Sequence, residues 1–204
     1  SYEAKLEIGE LECGKPGDFL GHSVGIFGDL AAVGAPGDDS LLGTDVGAAY
    51  VFERSDTTWS IAAKLKAVDG ANGDRMGGSI AVGDGFVLVG ARLAGLKNKP
   101  DAGAVYAFTK RMGMWMQTSK LTAKDAVSGD WFGESLAVDG DTAVIGAPNF
   151  VNNRGAAYIF ARAGASWKQV TRLLAAGGVS NDRFGESVDI KGNTALVGAT
   201  GQGG

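Results

Sequence analysis

One pattern constrains this chain more than any other: Asp-x-apolar-Gly-x-Ser, met four times in 204 residues. It reads Asp18-Phe19-Leu20-Gly21-His22-Ser23, then Asp74-Arg75-Met76-Gly77-Gly78-Ser79, then Asp130-Trp131-Phe132-Gly133-Glu134-Ser135, and last Asp182-Arg183-Phe184-Gly185-Glu186-Ser187. Each copy is followed at a constant distance by a Gly-Ala pair, beginning at Gly34, Gly90, Gly146 and Gly198. Three copies continue to a Gly-Ala-(Ala/Val)-Tyr-x-Phe segment (residues 47–52, 103–108 and 155–160) and then to Trp59, Trp115 and Trp167. Each tryptophan leads into a basic-Leu pair: Lys64-Leu65, Lys120-Leu121 and Arg172-Leu173. A period of about 50 residues belongs to folds whose units bury their apolar faces on one another.

Each unit reads as four short strands. Residues 135–138 and 142–145 flank Asp139-Gly140-Asp141, a tight hairpin signal. Residues 27–29, 83–85 and 191–193 hold the same place in the other units. The Tyr-x-Phe segment supplies a third strand and the Trp-to-Leu run a fourth, since aromatic and β-branched side chains suit a pleated surface. The 34 glycines, roughly twice the usual share, fit a chain of many turns. No sustained apolar stripe at helical spacing occurs, so helix is expected to be minor. The predicted fold is all-β: a β-propeller or propeller segment of four-stranded antiparallel blades. Residues 1–204 form a single repeat domain, with units at about 1–56, 57–112, 113–164 and 165–204 and the last one incomplete.

Phe132-Gly133 and Phe184-Gly185, taken with residues 34–36 and 146–148 (Gly-Ala-Pro), carry a resemblance to the FG-GAP repeat, known from the propeller of integrin α subunits and from bacterial and algal surface proteins. Leu20 and Met76 replace Phe, and Arg92 and Thr200 replace Pro, without disturbing the register. The resemblance implies that the Phe-Gly strand is innermost and the Trp-to-Leu strand outermost. It further implies that residues 2–8, where Ala4-Lys5-Leu6 echoes Ala63-Lys64-Leu65, form an outer strand. The fourth unit stops at Gly204, after its second strand. The chain is therefore expected to be a piece of a longer array, or to be completed by a neighbouring copy through its open edges. The start at Ser1 likewise suggests a processed form or fragment.

A net charge of −4 with no cluster of Lys or Arg argues against nucleic acid. The longest apolar stretch, residues 79–96, is interrupted by Asp84 and Arg92, so no membrane span is expected. Calcium-binding relatives carry a longer acidic loop between the first two strands. Here that link is a short turn with too few oxygen ligands for a cation that takes 6–8, so no metal and no cofactor are expected. His22 is the only histidine, and its counterparts are Gly78, Glu134 and Glu186. Cys13 is the only cysteine. Nothing in the spacing supports a nucleophilic triad, so no catalytic residues and no enzyme activity are expected. The recurring Asp18, Asp74, Asp130 and Asp182 are expected to bind turn amides. Trp59, Trp115 and Trp167 are expected to anchor outer strands on neighbouring blades, with sugar stacking as the alternative.

The loops between the second and third strands, residues 36–46, 92–102 and 148–154, vary in length and chemistry. They share one face with the links into each first strand, and variation on a rigid scaffold is where binding usually resides. The candidate ligand-binding residues there are Asp38, Asp39, Asp45, Asn149, Asn152 and Asn153. The function expected is that of an extracellular or cell-surface adhesion module recognising a protein or glycan. The alternatives are a structural protein assembling through open blade edges, by self-association at the incomplete blade, and a carbohydrate-binding lectin.

Overall fold

The computed structural model describes residues 15–201. The segment 2–8, expected as an outer strand, lies outside the described residues, as do Cys13 and residues 202–204. Three antiparallel sheets of four strands each follow one another, and a two-stranded fourth comes last. The first runs β1 (Val24–Phe27), β2 (Leu30–Ala35), β3 (Ala48–Ser55) and β4 (Thr58–Leu65) in spatial order. β5 (Ser79–Gly83), β6 (Phe86–Ala91), β7 (Ala104–Arg111) and β8 (Met114–Leu121) make the second. β9 (Leu136–Asp139), β10 (Thr142–Ala147), β11 (Ala156–Ala163) and β12 (Ser166–Leu173) make the third, and β13 (Phe184–Lys191) with β14 (Thr194–Ala199) the fourth. The sole helical element among the described residues is a four-residue turn, α1 (Phe150–Asn153). This is the all-β propeller segment that the repeat predicts.

The first strands of successive sheets, β1, β5, β9 and β13, pack side by side. The second strand of the third sheet, β10, packs on β13 in the same way. Outer strands touch less, so the sheets stack as blades fanned about an inner edge. The glycine of each Gly-Ala pair permits this approach. A Cβ on Gly34, Gly90 or Gly146 would run into the carbonyl of Gly77, Gly133 or Gly185 in the next blade. The same three carbonyls accept hydrogen bonds from the motif serines of the blade before: Ser23 Oγ to Gly77 at 2.8 Å, Ser79 to Gly133 at 2.6 Å, Ser135 to Gly185 at 2.8 Å. The serine and the two glycines of the repeat are thus one inter-blade latch.

Apolar side chains fill the space between blades. Phe132 packs edge-on against Tyr158 (ring centroids 5.5 Å apart) inside a cluster that also holds Leu88 and Val105 of the second blade. Trp167 reaches back to Phe86 at 5.4 Å, and the Trp115 indole N–H donates to Glu53 Oε1 at 3.1 Å. Both tryptophans therefore anchor an outer strand on the preceding blade. Each Tyr-x-Phe tyrosine is buried. Tyr50 donates to Asp38 at 2.7 Å with Lys64 over its ring, and Lys120 lies over Tyr106 in the same way. Burial pushes the Tyr106 and Tyr158 phenols up.

Candidate functional site

The face bearing the motif turns is built in two layers. Below the surface, the motif aspartates close their own turns. Asp18, Asp74, Asp130 and Asp182 accept from the amides of Lys15, Ala71, Val127 and Val179 at 2.9, 2.8, 2.7 and 2.7 Å. All four are buried, and burial pushes the Asp74 and Asp130 carboxyls up. The expected structural role is the one observed.

The variable loops between second and third strands clasp the next blade through their main chain. Met76, Phe132 and Phe184 donate to the carbonyls of Val46, Ala102 and Arg154 at 3.0, 3.1 and 3.0 Å. Arg75, Trp131 and Arg183 donate to those of Asp45, Asp101 and Asn153. This accounts for where the six candidate loop residues lie. Asp38 is 2% exposed and faces Tyr50 and Lys64, the latter at 2.7 Å. Asp39 caps the Asp45 amide at 3.0 Å. Asp45 pairs with Arg75 at 3.3 Å, and Asn149 accepts from Arg183 at 3.2 Å. The carbonyl of Asn152 and the side-chain amide of Asn153 bind Asn181, each at 3.2 Å. Four of the six therefore meet the following blade's motif turn, while Asp38 and Asp39 bond within their own blade.

Projecting from that layer are residues the sequence reading passed over. The second motif position is left-handed in every blade, with φ of 53°, 54°, 58° and 55° at Phe19, Arg75, Trp131 and Arg183. Gly or Asn adopts this conformation readily, whereas a bulky side chain costs about 1–2 kcal/mol. Two aromatic and two guanidinium groups are held there all the same, on one face. Two cations lie over the Trp131 ring, Arg92 at 4.9 Å and Arg183 at 5.7 Å from its centre. Both cations are fixed from behind. Arg92 is held by both oxygens of Glu134 at 2.9 and 2.8 Å, and Arg183 by Glu186 at 2.7 Å. The bond to Glu186 raises the pKa of Arg183 further. Across the motif turns of the first three blades a cleft of about 210 Å³ opens, with Phe19, His22, Arg75, Gly78, Arg92 and Glu134 in its walls. His22 is exposed there.

The opposite face carries the tight turns. Arg54 pairs with Asp29, Arg162 with Asp141, and Lys110 with Glu53. The bond from Lys110 holds the Glu53 carboxyl below its usual range, with the Trp115 indole adding to it and burial opposing. The first-to-second strand links are two-residue turns, such as Gly28-Asp29 between β1 and β2. Among the described residues no group of three or more His, Cys, Asp or Glu converges as a ligand set for a metal ion.

A family model described as FG-GAP repeat matches residues 14–52, 59–108, 115–160 and 167–204, which is most of the chain. No curated protein matches it.

Proposed function

We propose, given that the chain belongs to the FG-GAP repeat family, that it is a non-catalytic binding module whose partner is a protein recognised by the face carrying Phe19, Arg75, Trp131 and Arg183. A single observation carries this reading: a conformation unfavourable to large side chains recurs four times and is filled each time by an aromatic or an arginine. Those residue types dominate the energetics of protein interfaces, where a rigid ring or a pre-aligned guanidinium binds with little loss of entropy. The Arg92–Trp131–Arg183 stack is already ordered by Glu134 and Glu186, so little ordering remains on contact. His22 is the sole histidine and its counterparts are Gly78, Glu134 and Glu186, which suits variation in recognition better than conserved chemistry. The cell-surface setting implied by the resemblance belongs to the same proposal.

The test is a comparison of immobilised variants for retention of one protein species. Phe19→Asn with Trp131→Ala is expected to lose a partner that the unaltered chain retains. Arg54→Ala with Lys110→Ala, on the opposite face, is expected to keep it. Retention by the first variant and loss by the second would overturn the assignment of the face.

A further inference from the structure

We infer that the cleft beside Gly78 receives a carboxylate from the partner, an aspartate or glutamate side chain of an extended protein segment; this rests on the reading that a protein binds at this face. Equivalent positions of the motifs differ in the carboxylate they supply. The second and fourth motifs both place arginine after the aspartate, at Arg75 and Arg183. In the fourth, Arg183 Nε donates to the carboxylate of Glu186, three residues on, at 2.7 Å. In the third, Glu134 stands at the position of Glu186 and grips Arg92 with both oxygens. In the second, that position is Gly78, and no carboxylate is supplied from it.

Arg75 is left with one ion pair among the described residues, to Asp45 at 3.3 Å, with both side chains more than 40% exposed. The glycine is not demanded by the backbone or by crowding. Gly78 does not have a left-handed φ, and a Cβ there would meet nothing nearer than the Arg75 carbonyl oxygen at 3.6 Å. Gly78 lies in the wall of the cleft, whose volume of about 210 Å³ is large enough for a carboxylate and its methylenes. The planar guanidinium of Arg75 suits a carboxylate through paired N–H bonds. Phe19, 65% exposed, offers a wall for the methylenes. Arg92 is gripped by both oxygens of Glu134, whose carboxylate shares the cleft wall, whereas Arg75 has only the longer, exposed pair to Asp45, so Arg75 is the cation that answers an incoming charge.

The experiment titrates the nitrogen-15-labelled chain with N-acetyl-Gly-Glu-Gly-amide and with its Gln counterpart, following the Arg75 Nε–H and the Gly78 and His22 amides by NMR. Saturable shifts are expected with the Glu peptide, and binding about tenfold weaker with Gln. Gly78→Glu is expected to fold, to abolish the response, and to move the Arg75 Nε–H resonance toward that of Arg183. Arg75→Gln, which leaves the turn unchanged in length, is expected to abolish the Glu-over-Gln preference. Equal shifts with both peptides, or an undiminished response in Gly78→Glu, would overturn the inference. If Glu and Gln peptides behave alike while Phe19→Asn/Trp131→Ala still loses the protein partner, only the carboxylate is refuted. If that variant keeps its partner, the face is refuted whatever the peptides do.

Discussion

The first strands of the first and second blades occupy the same place in the repeat and live in opposite surroundings. Ile80 and Val82 of β5 are 8% and 6% exposed, whereas their counterparts Val24 and Ile26 of β1 are 69% and 67% exposed. The motif positions follow suit: Met76 and Phe132 are fully buried, and Leu20 is exposed. Blades with a described neighbour on both sides are therefore cores made jointly with those neighbours, as expected where each unit contacts only the next. The lesson is that stability in this chain resides in the interfaces between blades, and a blade taken alone is half of two interfaces.

The largest difference between flanked and outer blades is expected at the Gly-Ala glycines. Gly90→Ala would drive a methyl group into the Gly133 carbonyl and the Ser79 hydroxyl, and backbone cannot yield as a side chain can. A loss of about 3 kcal/mol is expected from urea unfolding. Gly198→Ala closely meets only the Ser187 hydroxyl within the described residues and is expected to cost under about 1 kcal/mol. Equal losses would place the constraint inside the blade. Next in size, Ile80→Ala should cost about 2–4 kcal/mol by leaving a cavity, while Val24→Ala should stay within about 0.5 kcal/mol, both read from thermal melts.

Smaller again is the latch. Ser79→Ala leaves the Gly133 carbonyl without its donor and should cost about 1–2 kcal/mol, whereas Ser187→Ala removes a hydroxyl with no described partner and should be near neutral. The smallest effect sharpens the picture for the flanked blades. Burial raises the carboxyl of Asp130 above its unfolded value, so the folded chain holds that proton more tightly than the unfolded one. Its contribution is then fullest below the unfolded pKa and is lost as pH rises through the raised value. Asp130→Asn should therefore gain on the unaltered chain between about pH 3 and pH 6 in denaturation midpoint, because the amide still accepts from Val127 and never ionises. A gain on acidification would contradict the sign.

Much of the architecture was legible because a repeat states its own period. The tight turns at Gly28-Asp29 and Gly140-Asp141, the buried role of the four aspartates and the anchoring of Trp115 and Trp167 all appear where the pattern placed them. β4 hydrogen-bonds to β3, so a blade gathers the Trp-to-Leu run as the outer strand after the Tyr-x-Phe strand, as expected. The candidate face was legible as well, but its residues were less so. Loop length and chemistry drew attention to Asp38 and Asn153, while Phe19, Arg75, Trp131 and Arg183 sat unnoticed inside the repeating motif. The signal was there: a position that varies among bulky residues between an invariant aspartate and a buried-type apolar residue. What hid it was that φ cannot be read from residue type when the residue is not glycine.

By itself, the order of residues determined the strand count, the antiparallel pairing and the turn positions, since these depend on contacts near in sequence and on side-chain alternation. The tertiary structure alone decided that Ser79 serves the next blade, that Asp38 is a core residue, and that Arg75 lacks the carboxylate Arg183 has. Those facts depend on which atoms of separate units come within bonding distance, and that distance exists only once the blades have stacked.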